Sequence, residues 1–529
     1  MIVTGKNIIG NSVTASGSIS FKATDPSNSN LLAELFYQVT GDELELVAKN
    51  AATAFETYNQ KTGIEKAIFL ETVADEIMAL GDNLIHRAMA ETGLPAARLT
   101  GERARTTGQL KMFAQLLREG SWVNACIDTA LPDRQPLPKP DLRRMMIPIG
   151  PVMVFGASNF PFAYSAAGGD TASALAAGCP VVVKAHPSHP GTDELVSQAI
   201  ISAAKKTNMP DGVFSMIHCD ETNAIKLVTH PAIKAIGFTG SRKGGMAIFN
   251  AAVNRPEPIP VYAEMSAVNP VIIMPGAVAL NAMAIANGLA ASVTLGVGQF
   301  CTNPGLIFMV DDINTTSFLQ TLSSAIQNNL PGTMLSKGIC NNYYSGIERL
   351  KNNTAVAVLA KANATAAENK TEAIPFVFTV HQKDFIADTS LSQEVFGPAT
   401  MIVLCKNTDE IKQTLQSLEG QLTATIHAVA EDEKNCTGII MLMKEKAGRL
   451  VFGGFPTGVE VCDAMVHGGP FPATTDGRST SVGTAAIQRF VRPVAFQNFP
   501  QHLLPDALKN NNPLKILRQV NNNWSKDAI

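Results

Sequence analysis

Several common signatures are missing from this chain of 529 residues. Its eight cysteines stand singly, at 126, 179, 219, 301, 340, 405, 436 and 462, and none forms a Cys-x-x-Cys pair. That spacing excludes a zinc ribbon or a disulfide framework and leaves reduced thiols in a cytoplasmic enzyme as the expectation. Positive charge is not in surplus: the net charge is −3 and the pI about 6.3. Neither nucleic acid nor an anionic membrane is therefore an expected partner. The first thirty residues carry no long apolar run, so no secretory leader is expected.

The longest absence is of charge itself. Ser266–Val310 contains no Asp, Glu, Lys or Arg. A run of that length raises the question of a membrane span. It is broken by Pro270, Pro275, Asn281, Asn287, Gln299 and Asn303 and is rich in Ala and Gly. The expectation is a buried strand, a buried helix and a second strand.

What is present points to a large globular core. Hydrophobic residues make up 46% and charged residues 16%, and the length predicts roughly two to four domains. From about 41 to 120 apolar residues recur at three- and four-residue spacing, which predicts helices. A proline-rich connector follows at 133–139. Then short apolar runs alternate with helical patterns: PVMVFGA (151–157), PVVVKA (180–185), GVFSMIHC (212–219), IKAIGFTG (233–240) and PVYAEM (260–265). A second such set starts at NPVIIM (269–274) and includes GLIFMVDD (305–312), ATMIVLC (399–405) and GRLVFGG (448–454). This alternation predicts α/β architecture with doubly wound parallel sheets.

In such sheets ligands bind at the carboxyl ends of the strands, and four stretches fall there: GASNFPF, KAHPSHPGT, GFTGSRKGG and AEMSAVNP. GFTGSRKGG places Gly240, Ser241, Gly244 and Gly245 between a strand and a helix. It fits either a phosphate-binding turn or a packing turn. Lys184 ends a strand and fits either a ribose or phosphate contact or a solvated strand end. His186 and His189 form an HxxH pair without an evident third ligand, so no metal is expected. Glu264 closes a strand before the uncharged run; burial should raise its pKa and suit it to base catalysis, or leave it a structural carboxylate. Cys301, in GQFCTN, is either a small buried hydrophobe or a nucleophile.

Taken in order, these pieces resemble the aldehyde dehydrogenase superfamily. The resemblance runs from about 20 to 497 through SNFPF (Asn159), VVVK (Lys184), FTGS (238–241), AEMS (Glu264), GQFC (Cys301) and EVFGP (Glu394, Phe396). It implies Cys301 as the nucleophile, Asn159 with the Cys301 N–H as the oxyanion hole, and Glu264 as the base that activates water. It also implies a nicotinamide dinucleotide contacted by Lys184, Phe238, Gly240, Ser241, Gly245, Glu394 and Phe396. The fold would comprise two Rossmann-like domains, for the cofactor (1–130 and 146–265) and for catalysis (266–455). A small β oligomerisation element (131–145 and 488–500) and a tail (501–529) would complete it, giving a homodimer or homotetramer.

Two departures matter. Where the family has an acidic residue on the adenosine ribose, this chain has Pro187, so NADP is the expected cofactor, with NAD also usable. The usual glycine pair after the glutamate is absent from EMSAVNP. Stretches 91–110, 456–500 and 512–524 resemble the branch that oxidises α-ketoglutaric semialdehyde (2,5-dioxopentanoate). A cationic contact for the substrate carboxylate is then expected. Arg103 and Arg105 are the candidates, and the loop 467–475 is a second. Dehydrogenases of succinic, glutaric or fatty aldehydes, a CoA-acylating enzyme and a non-catalytic member are the competing readings.

Overall fold

The computed structural model describes residues 1–367 and 369–529. Two seven-stranded sheets dominate it. The first runs, in spatial order, Val261–Glu264, Ala235–Thr239, Val152–Phe155, Val181–Lys184, Phe214–Ile217, Asn7–Ile9 and Ser12–Thr14. Its first five strands are parallel, and the two N-terminal strands add antiparallel at one edge. The continuous apolar runs follow from burial on both faces. Val152 and Val154 meet the core formed with helices Gly63–Ala79, Ala96–Glu119 and Pro190–Lys206, while Met153 and Phe155 face the opposite core.

The second sheet runs Ala357–Lys361, Phe376–His381, Ala399–Cys405, Leu306–Val310, Val271–Ile273, Gln421–His427 and Ala447–Phe452. Only Ala357–Lys361 is antiparallel to its neighbour. The uncharged run folds as strand Val271–Ile273, helix Pro275–Thr294 and strand Leu306–Val310. Helix Pro275–Thr294, long and apolar enough in composition for a membrane span, presses Ile285, Ala286, Leu289 and Val293 onto the sheet. Truncating Leu289 to Ala there costs about 2–5 kcal/mol.

A third, five-stranded sheet takes Val491–Gln497, Leu142–Pro148, Cys126–Asp128, Arg518–Val520 and Asn523–Ser525. It draws on more of the chain than the two segments marked out in the sequence. Strand Leu142–Pro148 crosses the boundary drawn at 146, Cys126–Asp128 comes from the segment before it, and the tail supplies two strands. Leu504, Leu508 and Ile516 of that tail pack on Ala125 and Ile127.

Candidate active site

Both large sheets deliver residues to one place. Glu264 is the last residue of strand Val261–Glu264, and its carbonyl accepts from Gly240 N–H at 3.0 Å. The segment 473–475 runs alongside this strand end: Met265 N–H donates to Ala473, and Thr475 N–H to Ala263. That docking carries His467 and Ser481 to the carboxylate. Ser481 Oγ donates to Glu264 Oε2 at 3.0 Å, and His467 Nε2 lies 3.0 Å from Glu264 Oε1. The same Nε2 lies 3.4 Å from Cys301 Sγ. Donor atoms of Glu264, Cys301 and His467 all fall within 4.8 Å of one another.

The Cys301 loop is locked from several sides. Asn269 Nδ2 donates to the carbonyls of Cys301 (2.9 Å) and Asn303 (3.0 Å), and Gln299 Oε1 accepts from Leu335 N–H. Asn159 Nδ2 donates to the Gln299 carbonyl at 3.0 Å, which holds it against the backbone two residues before the thiol. Gly298 has φ +65°, and a Cβ there would meet the Gly397 carbonyl at 2.3 Å. Only glycine lets the turn bearing Glu394 and Phe396 come this close. Glu394, Phe396, Gly298, Phe300 and Asn303 line one small cleft.

Electrostatics separate the groups. Burial pushes the Cys301 thiol well above its ordinary range and the Glu264 carboxylate adds to this, while the Arg105 guanidinium acts in the opposite sense. The residue as a whole is partly accessible. Glu264 reverses the expectation of a raised pKa. Burial does push it up, but the His467 imidazole and the Ser481 hydroxyl outweigh burial and hold it below its ordinary value. Burial lifts Glu394 to about 7 against its bonds to Ser266 and Ala267.

The strand ends of the first sheet suit a dinucleotide. Lys184 has no carboxylate partner among the described residues; its Nζ reaches only the Ala185 carbonyl, at 3.5 Å. Ser241 caps helix Arg242–Val253 by accepting from Gly244 N–H. Phe238 packs edge-on to Phe155. Beside Gly245, a Cβ would meet the Met265 side chain at 2.7 Å. Pro187 is exposed. An uncommitted ammonium and a helix N-terminus, each at the carboxyl end of a strand of the same sheet, suit a phosphate-bearing ligand. His186 and His189 are employed otherwise. Their rings stack, and His189 lies between the Ala157 carbonyl (2.8 Å) and Asp193 (3.3 Å).

One reading of the substrate contact is corrected. Arg103 points away from the site: its Nη1 donates to the Gly81 carbonyl at 2.7 Å. In the loop 467–475, His467 is engaged with Cys301 and Glu264 instead of standing free for a carboxylate. Arg105 does face an open cavity of about 600 Å³, which Arg98, Phe160 and Phe300 also line. Arg98 escaped sequence reasoning, although it shares a helix face with Arg105 at seven-residue spacing, and that spacing was the available signal.

Known proteins resemble this chain throughout its length. A family model described as "Aldehyde dehydrogenase family" matches residues 13–469. An "Alpha-ketoglutaric semialdehyde dehydrogenase 2" of Azospirillum brasilense is 49% identical over 98% of this chain and 99% of its own. An "Alpha-ketoglutaric semialdehyde dehydrogenase" of Acinetobacter baylyi is 47% identical over 98% of each. Among solved structures, betaine aldehyde dehydrogenase of Staphylococcus aureus superposes with a TM-score of 0.80 at 17% identity, covering 94% of this chain and 98% of that one. A Thermus 1-pyrroline-5-carboxylate dehydrogenase with bound NAD reaches 0.78 at 19% identity over 93% and 92%.

Proposed function

The chain belongs to the aldehyde dehydrogenase family and oxidises an aldehyde with NAD(P), and from this premise we propose that its substrate is 2,5-dioxopentanoate, converted to 2-oxoglutarate. One observation supports the chemistry above the rest: Cys301 Sγ, His467 Nε2 and a Glu264 oxygen gathered within 4.8 Å, with the Asn159 amide held against the nucleophile's own loop.

A thiol held above its ordinary range is a poor nucleophile until a base takes its proton. His467 Nε2 touches both Sγ and Glu264 Oε1; in the tautomer that leaves Nε2 unprotonated it takes the thiol proton, and the imidazolium so formed donates that N–H to ionised Glu264. Sγ then attacks the aldehyde carbon. Asn159 Nδ2, whose second hydrogen is uncommitted, and the Cys301 N–H take the developing oxyanion. Bound nicotinamide supplies a hydride acceptor. Departure of hydride from the hemithioacetal leaves a thioester on Cys301. Glu264, ionised at neutral pH, draws a proton from water, and attack of that water frees the carboxylate and the thiol.

Lys184, Phe238, Gly240, Ser241 and Gly245 are assigned to the adenosine and pyrophosphate end of the cofactor, and Glu394 and Phe396 to the nicotinamide end. NADP is the preferred cofactor, because Pro187 presents no negative charge to a 2′-phosphate. The cofactor unit is drawn from 1–130 with 146–265, less strand Cys126–Asp128 and residues 146–148, which join the third sheet, and the catalytic unit is 266–455. The exposed edge strand Val491–Gln497 and the exposed Leu280 and Met283 of helix Pro275–Thr294 support a homodimer or homotetramer. Its place is the cytoplasm.

Steady-state comparison of semialdehydes and neutral aldehydes, with each cofactor and with and without CoA, tests this reading. The expected result is the highest kcat/KM for 2,5-dioxopentanoate with NADP, independent of CoA. Preference for neutral aliphatic aldehydes overturns the substrate, strong preference for NAD overturns the Pro187 argument, and CoA-dependent turnover overturns hydrolysis.

A further inference from the structure

Beside the nucleophile, the cavity wall holds more positive charge than the chain neutralises. Helix Ala96–Glu119 places Arg98, Glu102 and Arg105 on one face, at intervals of four and three. Phe160 is shared between the two guanidinium groups, with its ring centre 4.9 Å from Arg98 Cζ and 5.6 Å from Arg105 Cζ. Arg98 also lies 4.9 Å from the Phe300 ring, and Arg105 5.7 Å from the Tyr164 ring. Phe160 follows Asn159 in the chain and Phe300 precedes Cys301. The two cations are therefore packed onto the residues next to the oxyanion donor and the thiol.

Their hydrogen-bonding capacity is largely unspent. Arg98 Nη2 donates to the Asn159 carbonyl at 2.6 Å, which leaves a buried Nη1 without a partner among the described residues. Arg105 makes no hydrogen bond or ion pair among the described residues, and its Nε is buried. Glu102 cannot balance both. Its Oε1 accepts the backbone N–H groups of Phe162 and Ala163, and its Oε2 stands 4.0 Å from Arg98 Nη2. Burial pushes the Glu102 carboxyl up, toward its neutral form. Arg449, whose charge interacts with Cys301 and Tyr164, is committed to the carbonyls of Pro456 and Gly458. Poorly hydrated cations that lack a counter-ion are costly unless a ligand supplies one.

We infer that Arg105 and Arg98 form an anion clamp: Arg105 takes the substrate carboxylate through its guanidinium fork, and Arg98, fixed by the Asn159 carbonyl, holds positive charge on the same cavity wall beside the adjacent 2-oxo oxygen. The inference rests on the reading of the substrate as a 2-oxo semialdehyde. A fork matches a carboxylate in a way that an ammonium does not, and the aromatic rings fix both planes before the ligand arrives. The clamp selects aldehydes that bear an α-keto acid at the far end over plain semialdehydes, and both over neutral aldehydes.

The test uses the full-length enzyme with saturating NADP. The readout is the ratio of kcat/KM for 2,5-dioxopentanoate to that for a neutral aldehyde of similar length. Arg105→Gln is expected to lower this ratio by about a hundredfold, the scale for losing one partner of a desolvated charge pair. Arg105→Lys, which keeps the charge and loses the fork, lowers it by about tenfold. Arg98→Gln is expected to narrow the preference for 2,5-dioxopentanoate over succinic semialdehyde. Arg103→Gln leaves every ratio at its wild-type value. Calorimetric titration with 2-oxoglutarate gives a second readout, and its affinity should fall in Arg105→Gln. A wild-type preference that survives in both Arg105→Gln and Arg98→Gln overturns the clamp and leaves the substrate reading standing. A wild-type enzyme without that preference overturns the substrate reading itself, and tight 2-oxoglutarate binding lost in Arg105→Gln would still support the clamp.

Discussion

Two buried histidine–carboxylate pairs, one at the start of helix Pro190–Lys206 and one at the end of strand Val261–Glu264, are set in different surroundings. His189 and Asp193 are both fully buried. The second ring nitrogen of His189 meets the Ala157 carbonyl, while Asp193 also accepts from Ser165 and from the His186 N–H. Burial opposes protonation there, but Asp193 outweighs it and holds the His189 pKa at about 9. His467 and Glu264 are almost as buried. Their shared nitrogen, however, also touches a thiol that is partly accessible. The pair chemistry is the same, and what the free side faces separates a structural tie from the base proposed for Cys301.

That contrast can be broken from either end. The largest expected effect is on the open pair. His467→Gln should lower kcat by about 10²–10³-fold, within the range for losing a general base, and should also cost stability, because Glu264 is left buried with one partner fewer. His189→Gln should spare the chemistry: kcat/KM of the folded enzyme stays near wild type, and stability falls by about 3–5 kcal/mol, as expected when one partner of a buried ion pair is removed. The sign of its pH dependence follows from the raised pKa. The stabilisation is complete below the ordinary value of 6.5 and is lost as pH rises through about 9. The Tm gap between wild type and His189→Gln should therefore shrink between those limits in calorimetry, and a gap that widens would contradict the assignment. The smallest effect is expected at Ser481. Ser481→Ala removes one of the bonds that depress Glu264, so the acidic limb of the kcat–pH profile should move upward and kcat fall by about tenfold or less; an unmoved acidic limb would separate Glu264 from the rate-limiting chemistry.

The same contrast explains what the sequence made legible. The strands PVMVF and PVVVK could be read because burial on both faces writes itself as continuous apolar text. The short N-terminal strands Asn7–Ile9 and Ser12–Thr14, only three residues each, carry too little pattern to stand out. Cys301, Asn159, Glu264 and Glu394 were picked out as an ordered set. The partners that tune them were not, because those contacts are tertiary. His467 lies 166 residues beyond Cys301, and Ser481 217 residues beyond Glu264. Without them, burial alone predicted a raised Glu264 pKa, and that prediction had the wrong sign. His186 and His189 showed the opposite weakness, since a motif of adjacent histidines said nothing of Ala157 and Asp193. Arg103 and Arg105 differ only in which helix face they occupy, and Arg98 belongs to the face that matters.

The proposed chemistry depends on His467 taking the Cys301 proton. The direct measurement is the rate of Cys301 alkylation by iodoacetamide as a function of pH, without cofactor or aldehyde, in wild type and in His467→Gln. The wild-type thiol should react about tenfold or more faster than the variant's at pH 7, with the variant catching up only under alkaline conditions. Superimposable rate–pH profiles would contradict the assignment.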